Sequence, residues 1–495
     1  MKYKLRGIAA VFAALAAALL VSVLSTAGSG RVHQHRDAAE KSPCGLSHSE
    51  GELCTHLPLV VIDTGGVEIP GKPLGESGRD EDGRAITYYS RAQDGSARIT
   101  AEMTVIDGEG YNHVSDEGTV SSSISIRVRG RSSRYFAKSS YALTLLHEDG
   151  SNNAQALMGM DAHHDWALYG PYLDKTNLRN YMFYNISGEL TDYAPNVRYC
   201  ELVLNGEYQG LYVMTETITA GQNGARLPLE VSKRYQKYTG YAVRLDQNHD
   251  KSETINSFTG YTFRRETDLE IVYPGPANQT PQIVENITQD ISDFEKMLYS
   301  YDYDDDDEGY AAHIDIDSFI DAFLINEITA NYDFGGLSTY LYKGIDGKFR
   351  VCVWDFNNSC DNFDVPMGWR SIELEGIVWY TMLMKDEDFT KRTIDRYRVL
   401  RENQFSDAYL DSYIDSVVEY LGPAAARDRA RWERTYEEGY GMLEDDARNT
   451  ETYEEAIDQL KTYLHRRLEW MDENIESLRQ YSVESKVKKY TETPN

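Results

Sequence analysis

Beyond its first thirty residues the sequence has no long apolar run. With 41% hydrophobic residues spread over 495 positions, it is too polar to cross a membrane many times. Positive charge is scarce: 50 Lys and Arg face 80 Asp and Glu, for a formal net charge of −30. That field repels nucleic acid and anionic headgroups, excludes nucleic acid as a partner, suits basic partners and keeps the chain soluble. Cysteine is sparse too, and no pair among Cys44, Cys54, Cys200, Cys352 and Cys360 has a C-x-x-C zinc spacing. The odd count leaves at least one thiol without an intrachain partner; Cys44 with Cys54 can close a small loop, and Cys200 reads as a buried thiol. The acidic run from Asp304 to Glu308 lacks the alternating ligands and turn glycine of a calcium loop, so it reads as a solvated connection between domains.

What is present begins with an export signal over residues 1–30. Lys2, Lys4 and Arg6 precede an Ala/Leu/Val-rich run from Ile8 to Leu24, and Ser25, Thr26 and Ala27 follow. The run is either cleaved after Ala27 or retained as an anchor, because it is nearly long enough to span a bilayer. The bulk of the chain is therefore expected to be secreted or at the cell surface, touching the membrane only through an uncleaved N-terminal segment. Residues 31–56 read as a polar linker.

From Leu57 short β-rich runs alternate with Gly and Asp clusters, as in LPLVVIDT, AEMTVID, SISIRVRG and SSYALTLLHE. A helix is expected from about Lys175 to Leu190. A hairpin follows, turning at Asn205-Gly206, a dipeptide suited to the positive φ angles of a tight turn. GYAVRLD and LEIVYPG close a β-rich N-terminal region over 57–275. From Thr280 the pattern turns helical, interrupted by the hairpin STYLYKGIDGKFRVCVWDF, giving a mainly helical region over 276–481 and a polar tail over 482–495. The class is α+β with two lobes and a cleft between them.

The segments RVRGRSSRYFAKSSYALTL, DWALYGPYLDKTNLRNYMFYNISGEL, VRYCELVLNGEYQGLYVMTETI, DSFIDAFLINEITANYDFGGLSTYLYK and FRVCVWDFNNSCDNF resemble, in order and spacing, the CotH (spore coat protein H) kinase family. The likeness runs from about Leu57 to Tyr481. It implies a reduced, atypical two-lobed protein-kinase-like fold, ATP with Mg2+ or Mn2+, and phosphoryl transfer to Ser or Thr of a surface or coat protein. Independently, Asp333 ends a helix before Gly335 and Gly336, and Asp355 ends an apolar strand. Both are carboxylates at element ends, where they can meet a bound ligand.

Set beside the kinase pattern, Asp333 resembles the catalytic-loop Asp and Asp355 the metal-binding Asp of D-F-G. The position of the metal-binding Asn is occupied by Ser338, a weaker ligand, for which Asn357 or Asn358 can compensate. Lys138 resembles the family's basic residue before a strand and is expected on the ATP phosphates. RGRSSR holds a single glycine, so Arg131 and Arg134 would contact phosphate as guanidinium forks, or else form a solvated basic turn. Arg179 and Asn180, in DKTNLRN, are expected to brace the lobe first and contact phosphate second. Glu216, leaving the hairpin, either lines the adenine pocket or is an exposed strand end. Two functions remain open at this level: an exported kinase whose protein substrate has basic, Ser-rich segments, and a noncatalytic surface or coat scaffold.

Overall fold

The computed structural model describes residues 30–42, 44, 52–79, 85–221, 226–229, 238–246, 254–255, 268–305, 307–345, 347–362, 366–437 and 448–482. Residues 1–29 and 483–495, nearly all of the expected export signal and polar tail, lie outside them. Among the described residues no helix is long and apolar enough to cross a membrane.

Alternation of buried and open positions builds the first half. In Val120–Val128 and Tyr141–Leu146 every second side chain is buried, as a pleated strand with one face on a core requires. The strands run, in chain order, β1 (Cys54–Thr55), β2 (Leu59–Asp63), β3 (Pro73–Arg79), β4 (Ala85–Tyr89), β5 (Ile99–Ile106), β6 (Asn112–His113), β7 (Val120–Val128), β8 (Tyr141–Leu146), β9 (Asp165–Tyr169), β10 (Val197–Leu204), β11 (Glu207–Glu216), β12 (Tyr241–Asp246), β13 (Thr254–Ile255), β14 (Asp268–Tyr273), β15 (Thr339–Lys343) and β16 (Arg350–Cys352). Seven of them close a barrel in the order β10-β11-β9-β8-β7-β5-β2. Neighbours are antiparallel except at the closure, where β2 and β10 pair in parallel with Leu59 opposite Glu201. Val60, Ile124, Leu143, Trp166, Leu202 and Met214 fill the barrel. The hairpin turn forms as expected, with Asn205 at φ 51° and Gly206 at φ 80°.

A second sheet, β13-β14-β12-β15-β16, draws its strands from both sides of position 275. The hairpin embedded among the helices thus pairs with β12, Leu341 lying opposite Val243. This pairing carries the residues that follow β16 toward the barrel.

The helices that matter here are α1 (Arg179–Leu190), α2 (Pro281–Leu298), α3 (Ile316–Ile328), α4 (Glu387–Glu402), α5 (Asp407–Leu421), α6 (Pro423–Glu437) and α7 (Tyr453–Asn474). In α2 the buried Ile283, Ile287, Ile291, Phe294 and Leu298 make one apolar stripe, and Thr280 caps it by accepting from the Ile283 amide at 3.2 Å. By contrast α3 is buried on all sides from Phe319 to Ile328, not along one stripe, because it runs through the centre of the large core. Its buried acids are paired: Asp321 accepts from Arg396 at 2.7 and 3.0 Å, and Glu327 accepts from Arg467.

The first part of the stretch expected as a linker is docked. The Arg31 guanidinium donates to the Ala194 and Pro195 carbonyls at 2.7 and 2.6 Å, and Gln34 exchanges side-chain bonds with the Tyr199 backbone. The α+β class holds, with a β-rich barrel half and a largely helical half.

Candidate active site

The helix α1 starts later than its apolar spacing suggests because residues 174–178 form a polar knot. Asp174 accepts from the Arg179 amide at 2.9 Å, from its guanidinium at 2.6 Å and from the Thr176 hydroxyl at 2.5 Å. The Thr176 hydroxyl also accepts from the Leu178 amide at 3.1 Å. The knot aims the start of α1 at the loop after β16. There Arg179 donates to the Ser359 carbonyl at 2.9 Å, the Phe356 amide donates to Asn180 at 2.7 Å, and the Asp355 amide donates to the Tyr184 hydroxyl at 3.0 Å. Arg179 is buried and joins the knot to the loop after β16, and only Asn180 of the two reaches the cleft.

Two loops face each other across this point. The turn after α3 carries Asp333, whose carbonyl accepts from the Leu337 amide at 2.7 Å; the loop after β16 carries Asp355. The Cys360 amide donates to the Thr329 carbonyl at 2.6 Å, and Asn358 Nδ2 donates to Asp333 Oδ2 at 2.8 Å, so the loops are joined. Ser338, Asp355, Cys360 and Asp361 all sit at positive φ, between 49° and 61°. Non-glycine residues rarely adopt that conformation, and with Ala330 at φ 45° the loops hold five of them.

A cleft of about 550 Å³ opens above these loops. Asp333, Ser338, Asp355, Asn357 and Asn358 line one wall, and Arg129, Arg131 and Arg134 of the turn after β7 line the other. Arg244 and Asp246, at the end of β12, complete it. Arg129 stacks over Trp354, 5.4 Å from the ring centre, and Arg134 over Tyr89 at 4.2 Å. The Asp355 carboxyl is pushed up to about 7, mainly because the cleft wall withdraws it from water and then because Asp333 repels its charge; Arg129 opposes the shift and Asp246 adds to it.

Six of the expected site residues thus converge: Arg131, Arg134, Asp333, Ser338, Asp355 and Asn357. Besides Arg179, two do not. Lys138 is only 1% exposed, and its ammonium donates to Asp428 of α6 at 2.5 Å. The expectation that it reaches phosphate is corrected by that pairing, since the side chain points into the barrel's contact with α6. Glu216 is fully buried and accepts from the Asn196 amide at 2.9 Å; it is neither an exposed strand end nor a wall of the cleft. Thr215 lines the cleft instead, because neighbours on a strand face opposite ways.

Sequence reasoning missed Asp246, Arg244 and Tyr184. The signal for Asp246 was there: it ends the apolar strand GYAVRLD as Asp355 ends VCVW. Tyr184 carried no such signal, as it is one aromatic residue in the buried run from Arg179 to Ser187 of α1.

The donors fit a hard divalent cation. Asp355 and Asn357 on the loop after β16 and Asp246 at the end of β12 offer oxygens from two segments of the chain, and Asn357 Oδ1 is buried without a hydrogen-bond partner, as an oxygen meant for a cation would be. The arginines opposite fit phosphate oxygens.

Residues 126–471 match the profile of the family described as CotH kinase protein. Over 312 residues the chain is 22% identical to the inner spore coat protein H of Bacillus subtilis (strain 168), spanning 62% of this chain and 78% of that protein.

Proposed function

The chain belongs to the CotH kinase family, and from that premise we propose that it transfers the γ-phosphoryl group of ATP to a Ser or Thr hydroxyl of an exported or coat protein. The observation that carries the reading is the single cleft in which three carboxylates and an unpartnered amide oxygen face an arginine turn. The β-rich and helical halves then serve as the two lobes of a reduced kinase fold, each supplying one wall.

A divalent cation held by Asp355, Asp246 and Asn357 supplies neutralisation of the phosphate charge when bound. Arg129, Arg131 and Arg134 orient the phosphates as donors. The acceptor oxygen bonds to the γ-phosphorus as the bond to the β–γ bridging oxygen breaks; ADP leaves with that oxygen, and the hydroxyl proton passes to Asp333. Asn358 holds the Asp333 carboxylate in one plane for that transfer. An acidic protein of net charge −30 suits a basic, Ser-rich acceptor. The basic-then-apolar N-terminal segment supports action outside the cytoplasmic membrane.

Ser338 favours a second reading, a noncatalytic surface or coat scaffold, because it stands where kinases place a metal-binding Asn. The two readings part in one experiment: wild type, Asp333→Asn and Asp355→Ala are given γ-labelled ATP, a basic Ser-rich peptide, and Mg2+ or Mn2+. The kinase reading expects Asp333→Asn to bind nucleotide and transfer nothing, and Asp355→Ala to lose metal-dependent binding. No transfer in the wild type supports the scaffold, and undiminished transfer in Asp333→Asn removes the role given to that residue.

A further inference from the structure

Away from the cleft, β1 and β6 pair so that Cys54 lies directly opposite His113. Cys44 is brought to the same place by the segment before it: Lys41 binds Asp107 at 3.0 Å, and Ser42 bridges to Gly110. The result is a tight cluster. One ligand atom from each of Cys44, Cys54 and His113 lies within 4.8 Å of the other two, and Cys44 Sγ is 3.4 Å from His113 Nε2. All five cysteines of the chain are thiols in the structure.

Asp116 completes the arrangement from behind. Its Oδ2 is 3.1 Å from His113 Nδ1 and also accepts from the His113 amide at 2.8 Å. A carboxylate on Nδ1 holds the proton there and leaves the Nε2 lone pair facing the two sulfurs. In a tetrahedral zinc site with ordinary bond lengths, ligand atoms lie roughly 3.5–3.8 Å apart, so this cluster needs only a small contraction around an ion.

We propose that Cys44, Cys54 and His113 bind a zinc ion, with Asp116 orienting the histidine and a solvent oxygen in the fourth position. Thiolate and imidazole select zinc over Mg2+, whereas the cleft offers only oxygens, which suit Mg2+ or Mn2+, so this site is chemically distinct from the cleft. Binding releases the two thiol protons to solvent and changes no oxidation state. A disulfide between Cys44 and Cys54 is the competing chemistry. It would leave the imidazole without a function at the sulfurs and the carboxylate with nothing to orient. The site ties the segment before β1 to the β1–β6 pair, so zinc acts there as a clamp.

The test uses the full chain, purified without chelator and assayed for metal by mass spectrometry. About one zinc per chain is expected, retained in Asp355→Ala and lost in His113→Gln. Substitution of zinc by cobalt(II) is expected to give thiolate charge-transfer absorption in the wild type, absent in Cys54→Ser. Asp116→Asn, which keeps all three ligands and the side-chain shape, is expected to weaken zinc about 10–100-fold in a chelator competition while the protein still melts cooperatively. Zinc retained in His113→Gln overturns the proposal. So does an oxidised Cys44–Cys54 pair that, once reduced in the wild type, gives no thiolate–cobalt absorption.

Discussion

Asp355 is a carboxylate in a place that does not favour charge. Its backbone sits at φ 61°, and burial, with Asp333 and then Asp246 beside it, raises its pKa from 3.8 to about 7. Between those values the folded chain holds a proton that the unfolded chain releases, so stability falls as pH rises through the window and the loss is complete above about 7. Asp355→Asn removes the charge and suits a positive φ, since Asn tolerates it. Thermal melts without metal are expected to place this variant above the wild type at about pH 8, with the gap closing toward about pH 5. A variant less stable than wild type at the higher pH would contradict the assigned cause.

The elements that present Asp333 depend on a glycine. Gly335 sits at φ 80°, and a Cβ there would stand 1.8 Å from Ile377 Cγ2, on a β-branched, half-buried side chain that would have to shift. Its amide donates to the Thr339 hydroxyl at 2.6 Å, which ties the turn to β15. Gly335→Ala is expected to cost about 1–3 kcal/mol in urea melts and to lower phosphoryl transfer more than nucleotide binding, because Asp333 moves and the arginine turn does not. Adding Ile377→Ala should recover part of the stability and leave the φ penalty. Full recovery would mean that the turn tolerates any residue.

Across the whole molecule, α6 clamps the barrel. Asp428 accepts from Lys138 and, at 2.8 Å, from the Leu211 amide, and it fits because residue 210 is glycine: a Cβ there would meet its Oδ1 at 2.2 Å. Arg427 grips the buried Glu201 at 2.9 and 2.6 Å, and Trp432 donates to the Gln209 carbonyl at 2.9 Å. Removing one partner of a buried pair strands the other charge, so Lys138→Met is expected to cost roughly 3–5 kcal/mol, and pairing it with Asp428→Leu to restore much of that. Nucleotide affinity of the folded Lys138→Met protein should match wild type, whereas Arg131→Ala or Arg134→Ala should weaken it about tenfold. Isothermal titration with ATP and Mg2+ checks the ranking; a Lys138 variant that folds but binds ATP poorly would return that lysine to the phosphates.

The local pattern was enough to find most strands, the Asn205-Gly206 turn, α2 and α3, and the pairing of Asp333 with Asp355 at element ends, because periodicity, turn chemistry and element termini are short-range properties. It missed β9, which joins β8 to β11 within the barrel. It also missed whatever depends on which distant segment arrives opposite. The barrel closes through a parallel pairing of β2 with β10, Asp246 enters the cleft because β12 pairs with β15, and Cys54 meets His113 across two strands rather than within a spacing motif. Lys138 is the clearest case. Its sequence neighbours point to a phosphate contact, but its charge is settled by a carboxylate 290 residues away, since the direction a side chain faces and the partner that makes its burial tolerable are set by packing.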